Sequence, residues 1–349
     1  MAKNKNLNSA AKAKKDKFYT QLEDVAEELR HYQDFFKGKI VLCNCDDPFE
    51  SNFFQYFAIM FNALELKKLI ATSYADSPIK GKEINLFPDG KTAYMVEVDA
   101  LKDWNGDGRE DLDDVKFAIE HGIYKTTQLE GDLHYCAGDF RSEECLELLK
   151  QADVVVTNPP FSVFREFVAT LMDYRKKFLI IGNQNAITYK EIFPLIMQDK
   201  LWLGYGFNGG NAYFSLPKGA YKDFVDGVFD SETGLVKFRN VRWFTNIEVA
   251  RFREDIPLYK KYSPEEYPRY DNYDAIEVSK TAEIPCDYFG VMGVPITFLD
   301  KYDPRQFEIL GKSDMFAGEV TVGGKLNKNP GRFYVKGKRM YERILIRRR

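Results

Sequence analysis

The chain has 349 residues, of which 44% are hydrophobic and 30% charged, and its formal net charge is −3. This length predicts two structural units, or one large domain with an appended lobe. The composition is typical of globular proteins and excludes disordered, collagen-like and coiled-coil chains. The longest apolar runs, residues 178–181 and 344–346, are far shorter than the roughly 18 residues of a membrane-spanning helix, so we expect no membrane partner. Residues 1–17 lack the apolar core of a secretory signal, which predicts a cytoplasmic protein.

The charge is unevenly distributed along the chain. Residues 1–17 carry +5 and residues 311–349 carry +8, which leaves −16 on the residues between them. Basic ends on an acidic body predict contacts with phosphates, and the last segment interleaves its cations with tyrosines. For residues 1–17, a disordered arm is an equally good interpretation, because basic termini are common in soluble proteins.

The cysteines are odd in number and scattered, which does not suit a secreted disulfide framework. With three histidines in the chain, no familiar zinc spacing is completed, so we expect reduced thiols and no metal site. The five cysteines are Cys43, Cys45, Cys136, Cys145 and Cys286.

The first half of the chain alternates predicted helices and strands. Residues 25–36 form a predicted helix, and residues 39–45 form a short apolar strand that ends at Asp46-Asp47-Pro48. A helix with an aromatic stripe follows, and then a strand over residues 68–74. This order predicts a β-α-β unit. We interpret the stripe as core, because a helix that crosses a sheet buries one face. Its residues are Phe53, Phe54, Phe57, Met60 and Phe61.

Residues 76–137 interrupt this alternation, and we interpret them as an insertion that holds a strand over residues 93–98. The alternation resumes with helices over residues 142–151 and 162–174, each followed by a strand, at residues 153–157 and 178–182. Alternation of this kind predicts a parallel α/β fold. Beyond residue 201 the pattern is irregular, with short strand candidates at residues 241–244 and 294–298, which predicts a second lobe.

The acidic loop over residues 103–114 matches the first part of a calcium-binding pattern. Its twelfth position is Asp114 where a bidentate glutamate is expected, and no helix is evident before the loop. We therefore favour a solvated acidic turn, and weak calcium binding without a catalytic role stays open.

The clearest chemical signal is the sequence Asn158-Pro159-Pro160-Phe161, which directly follows the strand over residues 153–157. Open α/β sheets bind their ligands at the carboxyl ends of the strands. Two successive prolines remove two backbone donors and leave the Asn158 side-chain oxygen and a main-chain carbonyl as acceptors. Such acceptors can take hydrogen bonds from both N–H groups of a planar amino group. The lone pair of its nitrogen then faces an electrophile. Phe161 offers a stacking face, so all four residues are predicted to be catalytic.

On these residues the sequence resembles the N6-adenine DNA methyltransferases, and within them the EcoRI-type modification methylases. Asn158-Pro159-Pro160-Phe161 is similar to the catalytic motif of this family, and Phe18-Tyr19-Thr20 is similar to its N-terminal cofactor motif. Residues 182–190 and 290–299 resemble the EcoRI type specifically. The cofactor-binding residues that the resemblance implies are Phe18, Tyr19, Thr20, Asn44, Cys45, Asp46, Asp47, Pro48, Asp139 and Phe140.

One departure from the family pattern concerns the first cofactor loop. The superfamily usually has Asp-Pro-x-x-Gly-x-Gly, whereas residues 47–53 contain no glycine. Because S-adenosylmethionine has no phosphate, the loss of closely packed backbone amides is less serious than in a nucleotide site. An acid for the ribose hydroxyls is expected after the second strand, where the first acidic residue is Asp76.

The resemblance implies a Rossmann-like, S-adenosylmethionine-dependent methyltransferase fold (α/β) with an irregular α+β C-terminal target-recognition lobe. It implies a catalytic domain over residues 18–200 and a target-recognition region over residues 201–349 with some return to the core. The implied reaction is methyl transfer from S-adenosyl-L-methionine to the 6-amino group of an adenine flipped out of double-stranded DNA. We expect a monomer and a cognate restriction endonuclease that acts on the same site without a stable complex.

Three other functions stay open. The same acceptors suit a glutamine side chain in a protein or a base in RNA, and a catalytically silent DNA-binding protein could keep the fold. A calcium-responsive interaction protein is the remaining alternative, and it would be recognised by a calcium-dependent change in stability.

Overall fold

The structure, a computed structural model, describes residues 19–45, 48, 51–74, 93–207, 211–215, 229–230, 232–250 and 253–349. The predicted basic arm, residues 1–17, lies outside these ranges. Across the described ranges, no helix is long and apolar enough to cross a membrane.

Short strands make up most of the regular structure. In chain order they are β1 (Tyr19–Thr20), β2 (Ile40–Cys43), β3 (Lys68–Thr72), β4 (Tyr94–Val98), β5 (Lys125–Gln128), β6 (Val154–Thr157), β7 (Lys177–Asn183), β8 (Trp202–Leu203), β9 (Asn211–Ser215), β10 (Leu235–Arg239), β11 (Val241–Thr245), β12 (Arg269–Tyr270), β13 (Tyr273–Glu277), β14 (Met292–Pro295), β15 (Phe307–Lys312), β16 (Val320–Val322), β17 (Lys325–Asn327), β18 (Tyr334–Val335), β19 (Lys338–Arg339) and β20 (Arg343–Arg348).

The α-helices are α1 (Leu22–Leu29), α2 (Gln33–Phe36), α3 (Asn52–Ile59), α4 (Leu112–Glu120), α5 (Glu143–Gln151), α6 (Phe164–Asp173), α7 (Phe193–Met197) and α8 (Ser313–Phe316). Single 3-10 helical segments lie at Arg30–Tyr32, Phe161–Val163, Gln184–Thr188, Glu248–Ala250, Thr281–Glu283 and Ile296–Lys301.

The described residues up to Gln184, together with Gly204–Ile247, form a first compact unit, called unit 1. Its large sheet contains β5, β4, β3, β2, β6, β7 and β11 in that order. The four strands β3, β2, β6 and β7 are parallel, whereas β4, β5 and β11 pair antiparallel with their neighbours. Parallel strands covered on both faces need apolar residues throughout, and all three valines of β6 are fully buried. The predicted α/β fold is confirmed.

The helices of unit 1 begin where side chains cap them. The Ser51 hydroxyl accepts a hydrogen bond from the Phe54 amide at the start of α3, and Ser142 does the same for Cys145 at the start of α5. The aromatic stripe of α3 is buried as predicted, with Phe53 and Phe57 at most 1% exposed. The helix predicted over residues 25–36 is divided into α1, a 3-10 segment and α2.

The predicted insertion extends the large sheet. Described residues from 93 onward supply β4 and β5, which add two antiparallel strands beside β3. Between them lies α4, whose N-terminus is closed by a capping box of Asp111 and Asp114. The segment therefore widens the sheet at its edge and does not interrupt the parallel strands.

Unit 2 consists of Asn185–Leu203 and Glu248–Arg349. Its main sheet has the order β12, β13, β14, β20 and β15, and two separate ribbons pair β16 with β17 and β18 with β19. Tyr270, Phe333 and Leu345 contribute to one of its buried clusters. The strand predicted over residues 294–298 ends at Pro295, where the 3-10 segment begins. The described residues within Gly204–Ile247 belong to unit 1 and supply β9, β10 and β11, whereas the sequence predicted a region over residues 201–349 with some return to the core.

All five cysteines lie in the described ranges and remain thiols, as predicted. Burial raises the pKa of the Cys145 thiol to about 11, so this side chain is neutral in the core.

Candidate active site

The strand order of unit 1 reverses at β2. From β2 the chain continues to β3 on one side, whereas the later strands β6 and β7 lie on the other side. A reversal of this kind opens a crevice at the carboxyl ends of the two central strands, and open α/β sheets bind ligands there. The Thr157 hydroxyl at the end of β6 donates a hydrogen bond to the Asn44 carbonyl just beyond β2. The two strand ends are therefore joined at the crevice.

The predicted catalytic residues begin directly at this junction. Asn158 and Pro160 are half-buried and Pro159 is buried, so the loop leaves the sheet edge within three residues. Phe161 is half-buried and opens the 3-10 segment that leads into α6. The sequence argument placed these residues at the carboxyl end of a buried strand, and the structure has them there.

The helix after this loop is fixed by close aromatic packing. The Phe164 ring lies 5.0 Å from the Phe244 ring of β11, measured between centroids. A Cβ atom at Gly182 of β7 would come within 2.4 Å of the Phe164 ring, so glycine is required for this approach. The packing holds the first turn of α6 against the sheet, and this in turn fixes where the preceding loop ends.

The loop after β2 carries part of the predicted cofactor site. Asn44 and Cys45 are buried, and Cys45 has a left-handed backbone with φ of 74°. Pro48 is buried as well. The predicted residues Asp46 and Asp47 lie outside the described ranges.

Of the N-terminal cofactor motif, Tyr19 and Thr20 are described, and Phe18 lies outside the described ranges. Both form β1, which pairs antiparallel with β9. The Thr20 carbonyl accepts a 2.7 Å hydrogen bond from the side chain of Asn52, the first residue of α3. This bond ties the motif to the helix that follows the β2 loop, so Thr20 and that loop share one region of unit 1.

Three buried polar atoms along this edge have no hydrogen-bond partner among the described residues. The Thr20 hydroxyl, the Asn44 side-chain oxygen and the Thr72 hydroxyl form no hydrogen bond with the described residues. Thr72 ends β3, and the register that pairs Cys43 with Ala71 puts it level with Asn44. Buried polar groups are normally satisfied, so the edge suits a polar ligand. Two further atoms of this kind in unit 1 belong to Thr126 and Trp243.

The sequence Gly138-Asp139-Phe140 packs against the end of β3. Gly138 has a left-handed backbone with φ of +77°, and a Cβ atom there would lie 1.9 Å from the Ser73 carbonyl oxygen. Phe140 is buried and its ring lies 4.9 Å from that of Phe167 on α6. Asp139 and Phe140, the two residues of this sequence predicted to bind the cofactor, therefore lie between β3 and α6.

Asp139 has a strong cationic partner that the sequence argument did not identify. Both of its carboxylate oxygens accept hydrogen bonds from the Arg141 guanidinium, at 2.9 and 2.8 Å. The hydrogen bonds to Asp139 raise the pKa of Arg141, so the guanidinium stays charged. Arg141 also contacts Glu166 of α6 at 3.1 Å. A ligand that binds Asp139 therefore shares it with Arg141.

Two buried charged residues hold the loop over residues 204–207, and sequence reasoning missed both. The Glu28 carboxylate of α1 accepts hydrogen bonds from the amides of Tyr205, at 2.9 Å, and Gly206, at 2.5 Å. Arg242 of β11 donates to the Phe207 carbonyl at 2.5 Å. Arg242 pairs with Gly182 near the carboxyl end of β7, so the loop lies on the same edge as the Asn158 loop. No sequence signal joins Glu28 to residues so distant along the chain.

The acidic loop directs its carboxylates to its own backbone. Asp103 accepts hydrogen bonds from the amides of Gly106, Asp107 and Gly108, and the buried Asp114 accepts from those of Trp104 and Asn105. Among the described residues, no group of three or more His, Cys, Asp or Glu side chains is arranged to hold a metal ion. The helix α4 begins at Leu112, within the end of this loop.

Comparison with known proteins gives a match over nearly the whole chain. A family model described as adenine-specific methyltransferase EcoRI matches residues 6–349. Type II methyltransferase M.EcoRI of Escherichia coli is 43% identical over 93% of this chain and 94% of the relative. Type II methyltransferase M.MpnI of Mycoplasma pneumoniae and M.MgeORF184P of Mycoplasma genitalium are 37% and 34% identical, each over 98% of both chains. No solved structure shows a significant match.

These matches agree with the parallel sheet, the crevice at β2 and β6, and the order of the predicted motifs. They confirm the predicted enzyme class and support the predicted function of a restriction-modification methyltransferase. The chain belongs to the EcoRI family of adenine-specific methyltransferases.

Proposed function

We propose that the chain transfers a methyl group from S-adenosyl-L-methionine to the 6-amino group of adenine within a specific site of double-stranded DNA. The observation that carries this proposal is the position of Asn158-Pro159-Pro160-Phe161 at the carboxyl end of β6, beside the crevice where the strand order reverses. Ligands of open α/β sheets bind at this place.

In this proposal, Asn158 and Pro159 hold the amino group. The Asn158 side-chain oxygen and the Pro159 carbonyl accept hydrogen bonds from its two N–H groups. This arrangement turns the nitrogen lone pair toward the methyl donor. Pro160 fixes the direction of the chain, and Phe161 stacks on the base. Because the amino group is paired inside the duplex, the adenine has to leave the stack before it reaches these residues.

The residues of the crevice fit a polar methyl donor. The hydroxyls of Thr20 and Thr72 and the Asn44 side-chain oxygen are buried without a partner in the described part of the chain, so each is available for a ligand. Asp139 and Phe140 would hold the adenine of the donor, with Arg141 fixing the carboxylate. From the family resemblance, Phe18, Tyr19, Cys45, Asp46, Asp47 and Pro48 join the same site.

S-adenosylmethionine supplies an activated methyl group on a sulfonium, so the chain needs no strong base to start the reaction. Its residues act by alignment, and a displacement of about 1 Å lowers the rate on the order of a hundredfold. The proton of the amino group is lost after transfer. This agrees with a loop that offers acceptors and no histidine.

Unit 2 is proposed to recognise the DNA site, because the basic residues 311–349 belong to it. We propose a monomer whose restriction endonuclease partner acts on the same site without a stable complex. The cytoplasmic location predicted from the sequence stays a prediction.

The test measures transfer of labelled methyl from S-adenosylmethionine to unmethylated double-stranded DNA, with RNA and bulk protein as parallel acceptors. We expect label in 6-methyladenine alone after digestion of the DNA to nucleosides. Label in RNA or in protein glutamine would show that the Asn158 loop binds the amino group of another substrate. That result would overturn the DNA proposal. The same assay is repeated on Asn158→Ala. Its matched control is Asn105→Ala, in the exposed acidic loop, which should keep full activity.

A further inference from the structure

The ribbon of β16 and β17 extends from unit 2 with little packing. Of its strand residues only Val320 is buried, at 6% exposed, while Thr321, Val322, Lys325, Leu326 and Asn327 are all exposed. Leu326 is 54% exposed although it is a large apolar residue. A two-stranded ribbon is marginally stable by itself in water, so a ribbon that packs on so little needs another source of rigidity.

The turn provides part of this rigidity. Val322 pairs with Lys325 across the two-residue loop Gly323-Gly324. Both glycines have left-handed backbones, with φ of 58° and 76°. Two left-handed residues in a two-residue hairpin loop form the turn whose twist matches that of paired strands, so the tip has a defined shape.

The base of the ribbon is fixed by Asn272, which lies between β12 and β13. Its side-chain nitrogen donates to the carbonyls of Gly318 and Arg332, each at 3.0 Å, and its side-chain oxygen accepts from the Tyr334 amide at 3.0 Å. Gly318 precedes β16 and Tyr334 begins β18, so one side chain anchors both ribbons. The neighbouring Asp271 accepts hydrogen bonds from the two amides of the second ribbon's turn.

The exposed cations of both ribbons lack ion-pair partners. In the first ribbon and its exit these are Lys325 and Lys328, and in the second they are Lys336, Lys338 and Arg339. In the described chain, none of the five forms a salt bridge, whereas the nearby Arg332 pairs with Glu342 at 2.7 Å. The two anchored ribbons therefore present five exposed cations that form no ion pair with the described residues, and such a surface is complementary to a polyanion.

We infer that the β16–β17 ribbon enters the major groove of the DNA substrate and reads base edges, while the cations of the second ribbon contact phosphates. The inference rests on the proposed DNA substrate. The major groove is about 12 Å wide and admits a two-stranded ribbon, whose strands lie about 4.8 Å apart. Two-stranded ribbons are an established way for proteins to read this groove.

The strand register separates two faces of the ribbon. Val322 pairs with Lys325 and Val320 with Asn327, so these four residues share one face, on which Val320 is buried at the base of the ribbon and the other three are exposed. Thr321 and Leu326 share the other face. The first face carries the side chains that suit base edges, since lysine bonds guanine, asparagine bonds adenine, and an apolar side chain contacts the thymine methyl group. This face is assigned to base reading.

The test first maps the methylated site by sequencing unmethylated bacteriophage DNA after treatment with the full-length enzyme. Short duplexes with the mapped site, or with one base pair of it replaced, are then compared for binding and methylation. The variants of the first ribbon are Lys325→Ala and Asn327→Ala, those of the second ribbon are Lys338→Ala and Arg339→Ala, and Lys67→Ala is the control. Lys67 is exposed at the amino end of β3, opposite the crevice.

We expect Lys325→Ala and Asn327→Ala each to reduce discrimination at one base pair by roughly tenfold to a hundredfold. Lys338→Ala and Arg339→Ala should weaken binding to every duplex equally and lower the slope of log affinity against log salt by about 1 each. Lys67→Ala should change neither property. Melting temperatures are measured for all variants, because these exposed substitutions should leave them unchanged.

Wild-type discrimination in both ribbon variants, in an enzyme that methylates adenine in DNA, would overturn the inference. If the wild-type enzyme methylates no adenine in DNA, the proposed function itself has failed. These two failures are distinguished by the wild-type result alone.

Discussion

A buried cluster of unit 2 and the crevice edge of unit 1 differ in how their buried polar groups are satisfied. In unit 2 the Glu277 carboxylate is 3% exposed and is held by Arg343, with contacts of 2.6 to 3.0 Å, and by the Tyr270 hydroxyl. At the crevice edge of unit 1, the Thr20, Asn44 and Thr72 oxygens are buried and find no partner in the described ranges. In the first arrangement, the buried charge of Glu277 is paired with side chains of the protein. In the second, hydrogen-bond donors and acceptors remain for a ligand.

The comparison indicates that burial of a polar group alone does not identify a functional site. A buried charge that is paired and hydrogen-bonded is part of the fold, and its loss affects stability. A buried polar atom without a partner lowers stability by about 1–3 kcal/mol, and its presence has to be explained by what binds it. Substitutions in the two regions should therefore change different measurements.

The largest expected effect on stability is that of Glu277→Ala. Removal of this carboxylate leaves the buried Arg343 charge uncompensated, which should lower the free energy of unfolding by about 3–5 kcal/mol. Urea unfolding monitors the change. The matched control is Glu308→Ala, which breaks the exposed pair with Arg347 and should lower stability by no more than about 1 kcal/mol. Equal losses for the two variants would contradict the structural role assigned to Glu277.

Tyr270→Phe tests the hydroxyl of the same cluster. Burial and the charge of Glu277 raise the pKa of Tyr270, so its hydroxyl stays protonated and donates to the carboxylate. Its removal should lower the free energy of unfolding by about 1.5–3 kcal/mol, the range for a hydrogen bond to a charged group. Tyr273→Phe is the control, since both rings pack against Phe333. Methyl-donor affinity should stay unchanged in both, and a loss of affinity in Tyr270→Phe would contradict the comparison.

Thr20→Val should have the reverse signature. The substitution removes a hydroxyl that has no partner among the described residues and keeps the side-chain shape, so the free energy of unfolding should not fall. Affinity for S-adenosylmethionine, measured by calorimetry, should fall by about tenfold, which corresponds to one lost hydrogen bond of about 1.4 kcal/mol. The control is Thr126→Val in the edge strand β5, where a hydroxyl that likewise lacks a partner lies outside the proposed site. Equal affinities of Thr20→Val and the wild type would remove Thr20 from the donor site.

The smallest effect is expected at Asp24 of α1, a half-buried acid in unit 1. Burial, followed by repulsion from Glu27 and Glu23, raises the pKa of Asp24 from 3.8 to about 6. The folded chain therefore holds this proton more tightly than the unfolded chain, and stability falls as the pH rises from about 4 to about 6.

Asp24→Asn removes this titration and should be more stable than the wild type at neutral pH. The gain should stay under about 1 kcal/mol, because water screens a half-exposed side chain. Below about pH 4 the difference should vanish, since the carboxyl is then protonated in both states. A gain of the same size at both pH values would show that the substitution acts through something other than this charge. The measurement is thermal unfolding of Asp24→Asn and the wild type across this pH range.

The sequence predicted those parts of the fold that depend on local patterns. The three valines before Asn158 indicate a buried strand, and Ser142 and Ser51 precede helices that they cap. Because parallel strands end at a common edge, the position of the Asn158 loop followed from the strand order alone. The order of the cofactor motifs added the family resemblance, which the comparisons confirm.

The rest of the site depends on contacts between distant residues, which local patterns do not encode. The Glu28 carboxylate binds the amides of Tyr205 and Gly206, and Arg242 binds the Phe207 carbonyl. The Arg141 partner of Asp139 is near in sequence, yet nothing in the pattern separates it from a solvated cation. Similarly, β4 and β5 were interpreted as an insertion, because antiparallel strands at a sheet edge lack the continuous apolar run of central strands.

The most direct test of the account is a single-turnover measurement on Asn158→Ala saturated with labelled S-adenosylmethionine. The account predicts donor affinity equal to that of the wild type, with transfer to adenine in DNA reduced at least about a hundredfold, because the amine is no longer aligned. Wild-type transfer by this variant would contradict the role of Asn158 and, with it, the assignment of the crevice at β2 and β6 as the active site.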